Sequence, residues 1–230
     1  MLARTRTLTS WNLFTRSLVF TLAATSIGCL LAEFYGICSM RMFTLRIFLP
    51  ACLLLTTWSI FDFFSGRREL LRAVIIGASA GLIAAIVYDL FRLPFVYARQ
   101  WGIDFVFPQL NLFKVFPRFG AMILGQAVEQ THYSTFAQWL GWSYHFSNGI
   151  AFGVMYMALI GDGRRHWAWG VVMALGLEIG LLFSGYTKVF GIPLTETFVF
   201  VTLAAHLIFG AALGLSARWF SRPFKTSETF

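Results

Sequence analysis

Six polar side chains interrupt the long apolar stretches of this 230-residue chain, and their types suit proton or ligand chemistry. They are Asp89, Arg92, His145, Asn148, Glu178 and His206. An ionisable group inside a bilayer costs about 2.5–3.5 kcal/mol on insertion scales, so such groups are rare unless they are paired or functional. Carboxylates and imidazoles at a shared depth are the groups that proton relays and coupled carriers use. The pattern therefore predicts a substrate or proton site built from these six residues.

Two cofactor hypotheses use some of the same residues. His145 and His206 are candidate axial ligands of a haem between two parallel helices, with the neighbouring glycines making room for the macrocycle. The two histidines with Asp89 and Glu178 are candidate ligands of a transition metal, because imidazole with carboxylate suits zinc or iron. These four residues are far apart in the sequence, so no close ligand spacing favours a metal.

Each polar residue also has a purely structural interpretation. Asp89 and Arg92 are three positions apart on a helix and can pair with each other. Arg92 lies near a helix end, from which its side chain can snorkel to the lipid headgroups. His145 and Asn148 can form an interhelical hydrogen-bonding pair worth less than about 2 kcal/mol. On this interpretation the cluster serves only helix assembly, in a structural or accessory membrane subunit.

The composition of the chain indicates that its partner is a lipid bilayer. The residues are 58% hydrophobic and only 12% charged, with a mean hydropathy of +0.71. A soluble domain is usually about 45–50% apolar and about 25% charged. A soluble fold of this length cannot bury so much apolar surface. We predict an all-α polytopic membrane protein in which residues 1–230 form a single transmembrane domain.

Six apolar stretches are long enough to span a bilayer, which takes roughly 20 residues in a helix. They run over Arg16–Tyr35, Phe43–Phe64, Leu71–Leu93, Gln138–Ile160, Trp167–Tyr186 and Thr195–Phe220. Pro50 is expected to kink the second helix and Pro94 to end the third, because proline lacks the N–H that a helix needs. The sequence thus predicts a bundle of about six transmembrane helices.

The segment 95–137, between the third and fourth stretches, is apolar but broken by prolines and rich in aromatic residues. We predict that it forms an outer aromatic loop within the transmembrane domain. Its piece from Arg118 to Val128 is too short to span, so it is either an interfacial amphipathic helix or a re-entrant segment. The whole segment is either a lid or binding element, or an inert aromatic collar at the interface.

The basic residues determine the predicted orientation. The net charge is +8, and the lysines and arginines stand in small groups at the ends of apolar runs. The positive-inside rule places both termini in the cytoplasm of a plasma or inner membrane, including a polar tail at 221–230. This orientation gathers the six polar residues in the outer half of the bundle. The basic residues form no stripe with interleaved aromatics, so we expect no nucleic-acid partner.

The fourth and sixth stretches share a short sequence pattern. One contains His145-x3-Gly149-x3-Gly153, and the other contains His206 followed by glycines at the same two spacings. A spacing of four puts such residues on one helix face, where small residues let two backbones approach closely. The glycine rows are therefore interpreted as packing seams. The two stretches run in the same direction, which is compatible with a parallel repeat.

Transport or translocation of a small solute, ion or proton is the function these features favour. The haem or metal protein and the accessory subunit remain the alternatives. The sequence contains no nucleophile elbow, phosphate loop or zinc protease helix, which argues against an enzyme. A carrier of this size is expected to work as a homo-oligomer or in a larger membrane complex.

Overall fold

The computed structural model describes residues 11–160 and 165–222, and within them the regular elements are helices. The helices are α1 Leu13–Phe34, α2 Met40–Phe64, α3 Glu69–Val96, α4 Val115–Leu124, α5 Thr135–Ile160, α6 Ala168–Leu182, α7 Tyr186–Val189 and α8 Glu196–Phe220. The predicted polar tail lies outside the described residues from position 223 onward. The all-helical prediction is confirmed for the described part of the chain.

Four of these helices, α1, α2, α3 and α8, are long and apolar enough to cross a membrane. Helix α5 has 26 residues, but polar side chains such as His145 and Asn148 lower its mean hydropathy. Helix α6 is apolar but has only 15 residues. At 1.5 Å per residue such a helix covers roughly 22 Å, less than a hydrocarbon core of about 30 Å. The four long apolar helices are compatible with an integral membrane protein, and the count of six spans stays a prediction.

Helix α3 lies at the centre of the bundle. It packs against α5 on one side and against α8 on another. Helix α6 packs on α8, while α1 and α4 pack on α5. These five helices therefore follow one another in the order α6, α8, α3, α5 and α1. Helices that are distant in sequence become neighbours in this order, which brings their polar residues together.

Glycines permit the close contact between α3 and α5. A Cβ added to Gly81 would lie 2.1 Å from the carbonyl oxygen of Gly149. One added to Gly153 would lie 1.9 Å from the carbonyl oxygen of Gly77. Real Cβ atoms do not approach a carbonyl oxygen so closely, so any side chain here would force the two helices apart. The predicted glycine seam is present at this interface.

A second glycine seam joins α6 to α8. A Cβ on Gly170 would lie 2.3 Å from the carbonyl oxygen of Gly210, and one on Gly214 would lie 2.1 Å from that of Trp167. The glycines of α5 and α8 that share a spacing in the sequence thus perform the same packing role in two different helix pairs. The two pairs, α3 with α5 and α6 with α8, meet where α3 contacts α8.

The second helix, in which the sequence predicts a kink at Pro50, has a π-helical turn just before this proline. The turn covers Thr44–Phe48 within α2. Proline has no N–H to donate and its ring crowds the carbonyl four residues earlier, so a locally widened turn accommodates it.

Pro94 does not end the third helix, contrary to the sequence-based prediction. Helix α3 continues to Val96, and the N–H of Tyr97 still donates to the carbonyl of Leu93 at 3.0 Å. Pro94 cannot make the bond to the carbonyl of Leu90, and its ring crowds that carbonyl, but the bond from Tyr97 to Leu93 still closes the last turn.

The segment 95–137 is packed on the bundle through α4. This helix has ten residues, and its buried side chains include Phe116 and Phe119. Close backbone contact joins it to α5, because a Cβ on Gly120 would lie 1.8 Å from the carbonyl oxygen of Ala137. The aromatic segment therefore forms part of the wall of the bundle at the end of α3.

Candidate functional site

One cavity of about 490 Å³ lies between α3, α5, α6 and α8, beside α4 and the connection from α6 to α8. Five of the six sequence-predicted residues line it: Arg92, His145, Asn148, Glu178 and His206. The sixth, Asp89, is bonded to two of them. The tertiary structure therefore brings all six into one polar region that the bundle encloses.

Asp89 holds the first cluster together. Its Oδ2 lies 2.9 Å from Nε2 of His145, which joins α3 to α5. Its Oδ1 accepts from a terminal nitrogen of Arg92 at 3.3 Å, as the three-residue spacing predicts. The carboxylate thus faces one guanidinium and one imidazole, and both act as donors toward it.

Arg92 is buried and does not snorkel. Only 6% of the residue is exposed, and its second terminal nitrogen donates to the carbonyl of Leu112 at 2.7 Å. Its guanidinium carbon lies 4.6 Å from the ring centre of Tyr88, 5.0 Å from that of Phe113 and 5.5 Å from that of Phe116. Aromatic faces attract a cation electrostatically, so these rings compensate part of the hydration that Arg92 loses.

Glu178 and His206 form the second cluster, between α6 and α8. Glu178 is 5% exposed, and its Oε2 lies 3.3 Å from Nε2 of His206. Its Oε1 accepts a hydrogen bond of 2.7 Å from the hydroxyl of Thr202. Glu178 on α6 thus has both of these partners on α8.

In the second cluster, the two facing atoms of Glu178 and His206 share one proton. Nδ1 of His206 lies 2.9 Å from the carbonyl oxygen of Thr202, which can only accept, so this nitrogen carries a hydrogen. In a neutral imidazole Nε2 then has only a lone pair. A lone pair and a carboxylate oxygen 3.3 Å apart repel unless a proton lies on one of them. The proton belongs either to Oε2 of Glu178 or to Nε2 of His206.

Tyr88 separates the two clusters. Its ring centre lies 6.1 Å from that of His145 and 5.0 Å from that of His206. A haem between the histidines would have to displace this ring and to replace a carboxylate at the Nε2 atom of each imidazole. Among the described residues no group of three or more His, Cys, Asp or Glu is placed to hold a metal. The four candidate metal ligands form two separate pairs.

Asn148 lies on the cavity wall one turn from His145. Its side-chain oxygen is buried and has no hydrogen-bond partner within the described part of the chain. Buried acceptors are nearly always satisfied, so this atom is available to a donor from a bound molecule.

Three polar residues that line the cavity, Thr202, Lys114 and Arg118, are not part of the site predicted from the sequence. Thr202 lies four positions before His206, and this spacing on one helix face is a signal that points to it. Lys114 and Arg118, from α4, also line the cavity. Arg118 donates to the carbonyl of Phe190, 72 positions away, at 2.6 Å, and nothing in the sequence indicates that contact.

The two helix pairs repeat the same arrangement. In the first pair Gly81 stands eight positions before Asp89, and Gly149 stands four positions after His145. The glycines make the close backbone contact. The acid lies two turns from its glycine along α3, the histidine lies one turn from its glycine along α5, and the two side chains meet there.

The second pair has the same spacings. Gly170 stands eight positions before Glu178, and Gly210 stands four positions after His206. Again the glycines make the backbone contact, and the acid lies beside the histidine. The repeat thus extends from the glycines and histidines to the acids, although the identical spacings do not decide which acid faces which histidine.

The chain matches none of the protein-family models, curated proteins or solved structures with which it was compared, so the geometry of the cavity carries the functional argument.

Proposed function

We propose that this protein binds a small solute in the cavity and translocates it across the bilayer, with proton exchange at the Glu178–His206 pair. The observation that carries the proposal is the convergence of ionisable side chains from four helices on one cavity. A structural subunit needs paired polar groups, but it does not need a cavity among them.

The size and lining of the cavity support a small organic ligand. Ligand pockets usually measure about 300–1,000 Å³ and combine apolar walls with a few polar groups that fix orientation. The volume of about 490 Å³ falls in this range. Apolar walls come from residues such as Phe152 and Phe209, and the unpartnered oxygen of Asn148 offers an acceptor.

The protonation chemistry of the second cluster supports proton exchange. Glu178 and His206 both line the cavity, so a bound solute can reach the proton that they share. Adding one more proton leaves Glu178 neutral and His206 cationic, and removing it leaves a carboxylate beside a neutral imidazole. Chains of such groups at membrane depth are the usual means of coupling proton movement to transport.

The packing of the helices supports a translocation step. Each helix pair is closely joined through its glycine seam, and the pairs meet between α3 and α8. Movement of one pair against the other would change access to the cavity without disrupting either seam. Rocking of one helix group against another around a central site is the common mode of alternating access.

Proton flux into liposomes tests this function. The protein is reconstituted with a pH-sensitive dye inside, and acidic, basic and neutral organic solutes are added outside. We expect at least one solute class to cause internal acidification, and Glu178→Gln to reduce that flux roughly tenfold or more, because an amide does not exchange the proton. The matched control is Glu196→Gln, which changes an exposed carboxylate on α8.

Retention of full solute-driven flux by Glu178→Gln would show that this pair does not couple protons. The absence of flux with every solute class would overturn the transport proposal itself.

A further inference from the structure

The chemistry of the cavity wall also indicates the class of ligand. Three basic residues line the cavity, Arg92, Lys114 and Arg118, against one acidic residue, Glu178. Arg92 is paired with Asp89, so the basic side chains that can offer charge to a ligand are Lys114 and Arg118, at the start of α4 and within it. A ligand with an anionic group would complement these two cations.

The basic residues form a series from the surface inward. Lys114 is exposed, the side chain of Arg118 is 17% exposed and that of Arg92 is 7% exposed. Lys114 directly precedes α4 with a helical backbone conformation and is four positions before Arg118, so the two share a face at the start of this helix. An anion that enters at the surface meets a cation at each depth.

The basic residues of α4 are available for a ligand. Within the described residues the ammonium group of Lys114 has no hydrogen-bond or ion-pair partner. Arg118 pairs with Glu129 at 2.8 Å, but the side chain of Glu129 is 69% exposed. Because the Glu129 carboxylate is open to solvent, a competing anion can reach this pair and displace it.

Glu129 shows which anion the guanidinium of Arg118 accepts. A carboxylate oxygen already lies within hydrogen-bonding distance of one terminal nitrogen, while the other terminal nitrogen is held by the carbonyl of Phe190. That backbone contact fixes the guanidinium at the cavity wall. A ligand carboxylate can take the place of Glu129 without moving Arg118.

The rest of the lining requires an apolar body on the ligand. Next to the basic residues the wall consists of side chains such as Leu30, Phe116, Phe119 and Ile192. An inorganic anion would leave this surface without a partner, whereas an apolar chain or ring would remove it from water at about 25 cal/mol per Å².

We infer that the ligand is an organic carboxylate with an apolar body, whose carboxylate replaces Glu129 on Arg118 and bonds to Lys114. This inference rests on the proposed role of the cavity as a solute site. The ligand is either a water-soluble organic acid or a fatty acid that enters from the bilayer, and the two share the recognised chemistry.

Binding to the full-length protein in nanodiscs tests the inference. The probes are 4-phenylbutyrate for a soluble acid and palmitate for a bilayer-borne acid, with the corresponding alcohols as uncharged controls and empty nanodiscs as the baseline. We expect one acid to bind and its alcohol to bind roughly tenfold or more weakly, because charge-assisted hydrogen bonds are lost. Binding of phenylbutyrate indicates the soluble source, and binding of palmitate alone indicates the bilayer.

Two variants give opposite expected results. Lys114→Gln, at an exposed position, should weaken binding of the acid several-fold and leave binding of the alcohol unchanged. Glu129→Gln should strengthen binding of the acid roughly threefold or more, because it removes the competing carboxylate. A merely structural role of the Arg118–Glu129 pair would not produce tighter binding.

Equal binding of acid and alcohol, binding of neither acid, or weaker acid binding by Glu129→Gln would each overturn the inference. Proton flux that depends on Glu178 but is driven by cationic or neutral solutes would leave the proposed transport intact and the ligand class wrong. Acid binding without flux would support the ligand class and contradict the proposed transport.

Discussion

At the scale of single residues, the two acids of the site have different surroundings. Asp89 faces both Arg92 and His145, so its negative charge compensates a buried cation. Glu178 faces a hydroxyl and an imidazole, and among the described residues no arginine is bonded to it. Asp89 therefore compensates a buried cation, whereas Glu178 has the surroundings that the proposed proton exchange requires.

This difference predicts a large loss of stability when Asp89 is replaced and a small loss when Glu178 is replaced. Asp89→Asn leaves the Arg92 charge buried without its carboxylate, a type of change that costs about 3–5 kcal/mol. Glu178→Gln should cost less than about 1 kcal/mol, because the amide oxygen still accepts from Thr202 and the amide N–H can donate to His206. Thermal unfolding in detergent, followed by circular dichroism, measures both. Equal losses of stability would contradict the assignment of roles.

At the scale of helices, the glycine seams determine how closely the elements pack. The interface between α3 and α5 has no space for a single methyl group at Gly81, whereas a Cβ on Gly176 of α6 meets no atom within 4 Å. Both glycines lie inside helices, where replacement by alanine is otherwise favourable by up to about 1 kcal/mol. The pair separates the effect of packing from that of helix propensity.

We expect Gly81→Ala to destabilise the protein by about 1–3 kcal/mol through overpacking, and Gly176→Ala to be neutral or stabilising. The unfolding midpoints of the two variants in the same detergent test this. Because Gly81 lies two turns from Asp89, the first variant should also weaken the contact between Asp89 and His145. A Gly81→Ala variant as stable as Gly176→Ala would show that the two helices do not pack at this distance.

At the scale of the whole molecule, orientation decides which side of the membrane supplies the cavity. The cavity is lined by residues from the connection before α4 and from the connection after α7, which lie at the end of α3 opposite to the turn between α2 and α3. The basic residues Arg67 and Arg68 stand in that turn. The positive-inside rule puts the turn in the cytoplasm, so we expect the cavity to open to the outside.

Cysteine labelling of intact cells tests this orientation. In a variant without the native cysteines, Asn111→Cys near the cavity should react with an impermeant maleimide added outside. Arg67→Cys, which is equally exposed in the structure, should react only after permeabilisation. The reverse pattern would place the cavity mouth and both termini on the opposite sides from those proposed.

The class of protein and the approximate extent of the helices follow from the sequence alone. Apolar stretches and an all-helical membrane fold are linked because a backbone in lipid must satisfy its own hydrogen bonds. The one helix whose hydropathy falls short, α5, is also the helix that carries His145 and Asn148. A polar site lowers the hydropathy that identifies a span, although the predicted bounds of this stretch, Gln138–Ile160, agree closely with those of α5.

Sequence periodicity determines which residues share a helix face, and the tertiary structure determines which faces meet. The six polar residues and the glycine spacings could be read from the chain, because they depend only on residue type and helix geometry. The contact of Asp89 with His145 rather than His206, and the presence of Lys114 and Arg118 at the cavity, could not. They depend on how the helices rotate and pack and on the path of segment 95–137, which long-range contacts decide.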